Sequence, residues 1–151
     1  MTNEELRNAF TEIEPSVIYE EGGEWINAVV PVDQWKNVAT KLRITNGLDM
    51  DFLFCITCID WKTYLMMVYH FTSTIHRHTL VIKVKLDRAT PAIETVSDIW
   101  RTAEFHEREV YDLFGVIFIN HPDLRRLFLT DEWKGWPLRK DYEDPVNMIK
   151  L

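Results

Sequence analysis

The chain has little of what usually announces chemistry. Only five of its 151 residues are glycine, and none of them falls in a GxGxxG or GxxxxGK spacing. No backbone cradle for nucleotide phosphates is therefore expected. No serine or cysteine stands in a nucleophile motif. Cysteine is limited to Cys55 and Cys58. Positive charge is scarce too: 17 Lys and Arg against 24 Asp and Glu give a formal net charge of −7. That balance argues against nucleic acid or anionic lipid as the main partner. The longest apolar run, Phe52 to Ile59, is far short of the ~20 residues that a membrane-spanning helix needs. The start of the chain is polar and acidic, with neither a secretory core nor an Arg-rich presequence. With two cysteines and no signal, a reducing cytoplasm is expected, and membrane association would come only through partners.

What is present reads as one globular domain. Leu6, Phe10 and Ile13 share a face of a first helix over residues 3–13, with Thr2 or Asn3 as its cap. Residues 17–19 and 25–30 form a hairpin around Gly22-Gly23. Trp35, Val38, Ala39 and Leu42 mark a second helix, closed by Gly47. Residues 51–61 and 64–72 are apolar on both faces, as central strands of a covered sheet are. Residues 79–86 alternate, with Lys83 and Lys85 outward, which suggests a strand near an edge. A loop through Pro91 leads to a third helix, capped by Thr95 or Ser97. The order α-β-β-α-β-β-β-α predicts an α+β fold: two layers, with a mixed sheet of about five strands and helices packed on it. Residues 1–120 form that domain, and residues 121–151 follow as an extended C-terminal docking tail.

The stretch 104–142 carries most information. Ile99, Ala103, His106, Val110 and Leu113 step by threes and fours along one helix face. Gly115 is placed as the left-handed cap. Glu104, Arg108 and Asp112 lie four apart on a flank and are expected to pair within the helix. VIFI, residues 116–119, reads as a short strand. His121-Pro122-Asp123 forms a rigid corner with Asp123 as an N-cap. Arg125, Arg126, Phe128, Trp133, Trp136, Arg139, Lys140 and Tyr142 follow, with Pro137 and Pro145 punctuating an irregular tail. Aromatics and arginines in such a tail suit a protein interface. A tail folded back over its own domain is the alternative, and both readings stand at this point. The front of the chain is acidic, with nine acids and four bases in residues 1–50, while residues 121–151 hold six of each. A neutral tail suits docking on protein.

Three constellations invite a site. Cys55-x-x-Cys58 lies within a predicted strand, where residues three apart face opposite ways, so the thiols converge on a metal only across a bulge. His76 and His78, with His70 as a third, offer imidazoles, but a turn with solvated histidines is the ordinary explanation. His106 lies on the apolar helix stripe, and Glu107 and Glu109, two apart, face different directions. A free-standing metal enzyme using His76, His78 and His106 remains the rival from another class. A buried Glu107, Arg108 or Glu109 would need a partner, with Arg125, Arg126 or a neighbouring subunit as candidates.

Three blocks together make a resemblance. Glu107-Arg108-Glu109-Val110-Tyr111-Asp112-Leu113-Phe114-Gly115, then His121-Pro122-Asp123-Leu124-Arg125-Arg126, then Pro137-Leu138-Arg139-Lys140-Asp141-Tyr142 resemble the signature of the 30 kDa subunit family of respiratory complex I. In bacteria this family supplies the C subunit of the proton-translocating NADH:quinone oxidoreductase. The likeness extends over roughly residues 15–145 and is specific after residue 97. The resemblance implies a non-catalytic scaffold of the hydrophilic arm, peripheral on the cytoplasmic side of the inner membrane. It implies no cofactor in this chain, with FMN and iron–sulfur clusters in partner subunits. It implies docking on other arm subunits, chiefly the large quinone-site subunit, through the signature residues and Trp133. The signature ends close to the last residue, so an unfused form is expected. The homologous subunit of a membrane-bound hydrogenase, or of a complex with another donor, is the alternative within the class.

Overall fold

The computed structural model describes residues 2–144, and Pro145 with the rest of the expected tail to residue 151 lies outside the described residues. Helix α1 spans Asn3–Ile13 and opens on a capping box, in which Thr2 Oγ1 accepts from the Glu5 N–H and the Glu5 carboxylate accepts from Thr2 N. A hairpin of β1 (Ile18–Glu20) and β2 (Ile26–Val29) follows. A 3-10 turn, Val32–Gln34, leads into α2, Trp35–Ile44. Three nine-residue strands come next: β3 (Phe52–Asp60), β4 (Tyr64–Thr72) and β5 (Thr79–Asp87). The chain then forms β6 (Ala92–Glu94), α3 (Ala103–Phe114) and β7 (Ile117–Ile119).

The main sheet has the order β1-β2-β5-β4-β3. Within it β2 and β5 run parallel and the other neighbours antiparallel, so the sheet is mixed. This is the expected α+β class. β5 is the central strand, not an edge, and β3 is an edge, not a middle strand. Alternation reports which face of β5 is wet, but its place is set by pairing with the distant β2. Lys83 reaches Glu20 at 2.6 Å, and Lys85 lies 4.3 Å from the Tyr64 ring centroid, so neither lysine needs an edge. A second, two-stranded parallel sheet joins β6 to β7. The VIFI strand is therefore present, and its partner lies in the stretch read as the end of a loop.

All three helices share one core with the inner sheet face. Leu6 and Phe10 from α1, Trp35, Val38, Ala39 and Leu42 from α2, and Ala103 and Val110 from α3 meet Leu65, Met67, Tyr69, Phe71, Leu80, Ile82 and Val84. Trp35 and Tyr69 pack with ring centroids 4.3 Å apart. The opposite sheet face carries a smaller cluster of Met66, Val68 and Val81. A bulge interrupts the register between Leu53 and Cys55, ahead of the first cysteine. Cys55 then sits opposite His70 and Cys58 opposite Met67 in regular register, on the two faces. Burial pushes the Cys58 thiol up to about 12.

Candidate functional site

The signature blocks converge on α3 and the chain that returns over it. α3 begins later than the sequence suggests. Turns fill residues 97–102, pinned by Trp100 Nε1 donating to Met50 O at 2.8 Å and by Thr102 Oγ1 donating to Leu53 O at 2.7 Å. Thr102, at the N-cap, spends its hydroxyl on Leu53 and makes no side-chain capping bond to the helix. Neither Thr95 nor Ser97 caps the helix. At the other end Gly115 takes φ +78, as expected, and its N–H donates to Tyr111 O at 2.9 Å.

The expected ion pairs along Glu104, Arg108 and Asp112 do not form, because the tail supplies better partners. Arg108 is buried and donates to Arg125 O at 3.2 Å and to Arg126 O at 3.0 Å. Asp112 is fully buried. It accepts from Arg126 Nη1 at 3.1 Å and from the N–H groups of Leu127, Phe128 and Leu129 at 3.2, 2.7 and 3.1 Å. Burial alone would raise its pKa, but the three N–H donors and Arg126 outweigh it and hold the carboxyl below its ordinary value. Arg126 also donates from Nη2 to Trp133 O and Gly135 O, at 3.0 and 3.1 Å, and its guanidinium lies 4.6 Å from the Trp136 ring centroid. One arginine thus gathers a loop of the tail onto the end of α3.

Glu107 has a different solution. It is fully buried, and among the described residues no cation is bonded to it. Its carboxyl meets Thr95 Oγ1 at 2.5 and 2.9 Å and accepts from the Val96 N–H at 3.3 and 3.4 Å. Burial pushes its pKa up to about 8, opposed by those hydrogen bonds and by Lys36. At neutral pH the group is mostly protonated. In that form its O–H donates to Thr95 Oγ1, which passes a hydrogen bond to Ser97 Oγ at 2.8 Å. The acid that pairs with Arg126 is therefore Asp112, not Glu107 or Glu109.

A second fastening lies at the far end of the tail. Arg139 Nε donates to Phe114 O at 2.7 Å, and Leu138 N donates to Leu113 O at 3.0 Å, so the tail caps the last carbonyls of α3. Asp60 accepts from Arg88 through both oxygens, at 3.0 and 2.8 Å, and from Lys140 N at 2.8 Å. Arg88 holds the Asp60 carboxyl well below the usual carboxylate range. Asp141 adds an ion pair to Arg88 at 3.1 Å. Tyr142 packs near Gly135, and Pro137 between them in sequence is half-buried. Arg88 has no local signal in the sequence; only the fold brings it to Asp60.

Gly115 also meets the tail. A Cβ built there would lie 2.5 Å from the Trp136 ring. Gly115→Ala is expected to cost about 1–2 kcal/mol for the left-handed backbone alone, and more for displacing Trp136 from Tyr111, whose ring is 5.5 Å away. A melting curve of the purified variant that overlays the parent would refute this.

The remaining signature residues divide, with Tyr111 and Phe114 packed against the core and others facing outward. Pro122, Asp123, Arg125, Leu138, Lys140 and Asp141 are exposed, as is Phe128. Glu109, Tyr111, Phe114, His121 and Trp133 are half-buried. Asp123 caps no helix, since none follows among the described residues; it accepts from Arg125 Nε at 2.9 Å. His121 Nε2 lies 3.0 Å from Glu104 O. His76 and His78 stack with ring centroids 5.6 Å apart, but each is bonded elsewhere. His76 pairs with Asp49 at 2.7 Å, His78 binds Leu48 O at 2.9 Å, and His70 packs against Trp25 and Phe54. Among the described residues, no three His, Cys, Asp or Glu side chains form a set able to hold a metal ion. No helix among them is long and apolar enough to cross a membrane.

With this geometry in view, the likeness to known proteins is specific. The family described as respiratory-chain NADH dehydrogenase, 30 Kd subunit, matches residues 28–146. The chain belongs to this family. The three sequence blocks that carry the resemblance meet where α3 is covered by the returning tail. A relative in Phocaeicola vulgatus, the C/D subunit of NADH-quinone oxidoreductase, is 45% identical over 124 residues, covering 81% of this chain and 24% of that protein. In Methanosarcina mazei, the C subunit of F(420)H(2) dehydrogenase is 40% identical over 135 residues, covering 85% of this chain and 84% of that one. A chain of the membrane-bound sulfane sulfur reductase, an archaeal respiratory membrane complex, superposes with a TM-score of 0.79 at 26% identity, covering 93% of this chain and 85% of that one. The chain spans about a quarter of the C/D protein of Phocaeicola vulgatus and about half of the C subunit of NADH-quinone oxidoreductase in Chloroherpeton thalassium.

Proposed function

We propose that this chain is a non-catalytic scaffold subunit of the hydrophilic arm of a proton-translocating NADH:quinone oxidoreductase. It sits peripherally on the cytoplasmic side of the bacterial inner membrane. The FMN and iron–sulfur clusters that carry electrons from NADH towards quinone belong to partner subunits. The observation that carries this reading is the division of the family signature. Its inward residues, Arg108, Asp112, Gly115 and Arg126, set the course of the tail. Its outward residues then stand on a fixed surface, with Phe128 and Leu138 exposed beside Arg125 and Lys140. Exposed aromatic and aliphatic anchors among arginines suit a subunit interface. Residues 121–151 are thus the docking tail, and its described part, to residue 144, is held ready by its own domain. The partner is chiefly the large quinone-site subunit, which accords with a relative named C/D in which the matching stretch is part of one longer chain.

A second reading keeps the position and changes the donor. The F(420)H(2) dehydrogenase and sulfane sulfur reductase relatives favour it. One purification separates the two. The tagged chain, drawn from gently solubilised native membranes, is expected to bring iron, further subunits and NADH-dependent quinone reduction. Oxidation of hydrogen or another donor instead selects the second reading. A chain that elutes alone and free of iron sinks both.

A further inference from the structure

The sheet edge at β3 and the flank of α3 enclose a groove of about 380 Å³, with Leu138 of the tail as part of its wall. Val110, Leu113 and Leu138 make it apolar, and exposed Thr57 stands on its rim. Glu109 lines it as well. That carboxylate is half-buried and makes no hydrogen bond or ion pair with any described residue. Its two neighbours in the signature are provided for: Glu107 by Thr95 and Val96, Asp112 by Arg126. The groups facing Glu109 are His106 on its own helix and Cys55 across the groove, whose thiol is pushed up by burial and by Glu109. The nearby arginines are already spent on carbonyls, Arg108 at residues 125 and 126 and Arg139 at Phe114 and Arg88. A carboxylate partly withdrawn from water beside apolar walls costs free energy unless it is paired. Among the described residues no strand lies beyond the outer edge of β3, so its backbone groups are also open to a neighbour.

We propose that this groove seats a segment of a partner subunit that sets an apolar side chain against Leu113 and Leu138 and an arginine or lysine against Glu109. The inference rests on the scaffold reading and gives it a specific seat. Charge complementarity selects the occupant: an apolar lining with a single unpaired carboxylate accepts a basic, apolar segment and disfavours an acidic one. A second copy of this chain, with its net charge of −7, is a poorer fit.

The test uses the full chain in its own complex. A photo-crosslinking residue replaces Thr57, membranes are illuminated, the complex is purified and the linked peptide is mapped. The expected link falls in a partner-subunit segment with an arginine or lysine within a turn or two of the linked residue. Glu109→Lys should then lower the yield of complex about tenfold, and replacing that partner base by glutamate should restore it. The melting point of the isolated Glu109→Lys chain should not fall, since Glu109 makes no bond within the described residues. A link to a lipid, to a second copy or to a segment without a base overturns the inference. So does the absence of a link in a chain that still co-purifies with its complex, and in these cases the scaffold reading survives. A chain found in no complex overturns both.

Discussion

Replacing Asp112 by alanine is expected to unfasten the tail and to destabilise the protein by about 3–5 kcal/mol, the usual loss when one partner of a buried charged pair is removed. Asp112 has no exposed surface, and four donors end on it. Without it the N–H groups of Leu127, Phe128 and Leu129 lose their acceptor. Arg126, only 10% exposed at its side chain, keeps three carbonyls but no counter-charge. A drop of roughly 10 °C in Tm should accompany the loss, with rapid tryptic cleavage after Arg125 and Arg126. A variant that melts with the parent and keeps an uncut tail would show that the Arg126 hub holds without its acid. The depressed pKa of Asp112 adds a pH dependence. Its contribution is complete above the ordinary value of 3.8 and is lost as the pH falls through the lower folded value. Asp60, held down by Arg88, acts with the same sign.

Glu107→Gln is expected to change stability in the opposite window. The unfolded group ionises near 4.5, whereas the folded one holds its proton to about 8. The folded state therefore binds more protons between those values, and stability falls as the pH rises across them. Acting alone, the group contributes on the order of 5 kcal/mol to that fall. Glutamine keeps the geometry, with its amide N–H₂ towards Thr95 Oγ1 and its carbonyl accepting from Val96 N. The charges near the site, Lys36 and Asp98, remain in place. The variant should lose the slope and melt above the parent at pH 8–9. Parallel Tm curves for the two proteins from pH 5 to 9 would mean that Glu107 is ionised in the fold.

The sequence exposes these residues without their roles. Local signals work where the physics is local. Thr2 or Asn3 marks the first cap, which the structure gives to Thr2, Gly115 marks the last turn of α3, and alternation marks the strand that becomes β5. Position within the sheet is not local. β3 is apolar on both faces because the core, α3 included, lies on one side and the smaller outer cluster on the other, not because it is flanked by strands. In the same way Glu104, Arg108 and Asp112 form a regular flank that pairs well on paper. Their actual partners lie in an aperiodic segment, and no helix or strand pattern points from Asp112 to Arg126 or from Asp60 to Arg88. The buried state of Glu107 is equally hidden, because Thr95, its partner, looks like a helix cap.

The parallel join between β2 and β5 constrains the order in which the architecture is completed. Ile26 lies opposite Leu80, and everything between them, including α2 and two long strands, must be laid down before that join exists. β3, β4 and β5 are a meander of neighbours and close through short turns. The hairpin of β1 and β2 has no other attachment to the sheet among the described strands, since β2 touches only β1 and β5. On a growing chain it emerges before the meander and is seated after it, once the entropy of a long loop has been overcome. The hairpin made early in the chain therefore has no strand of the sheet to join until β5 has been made.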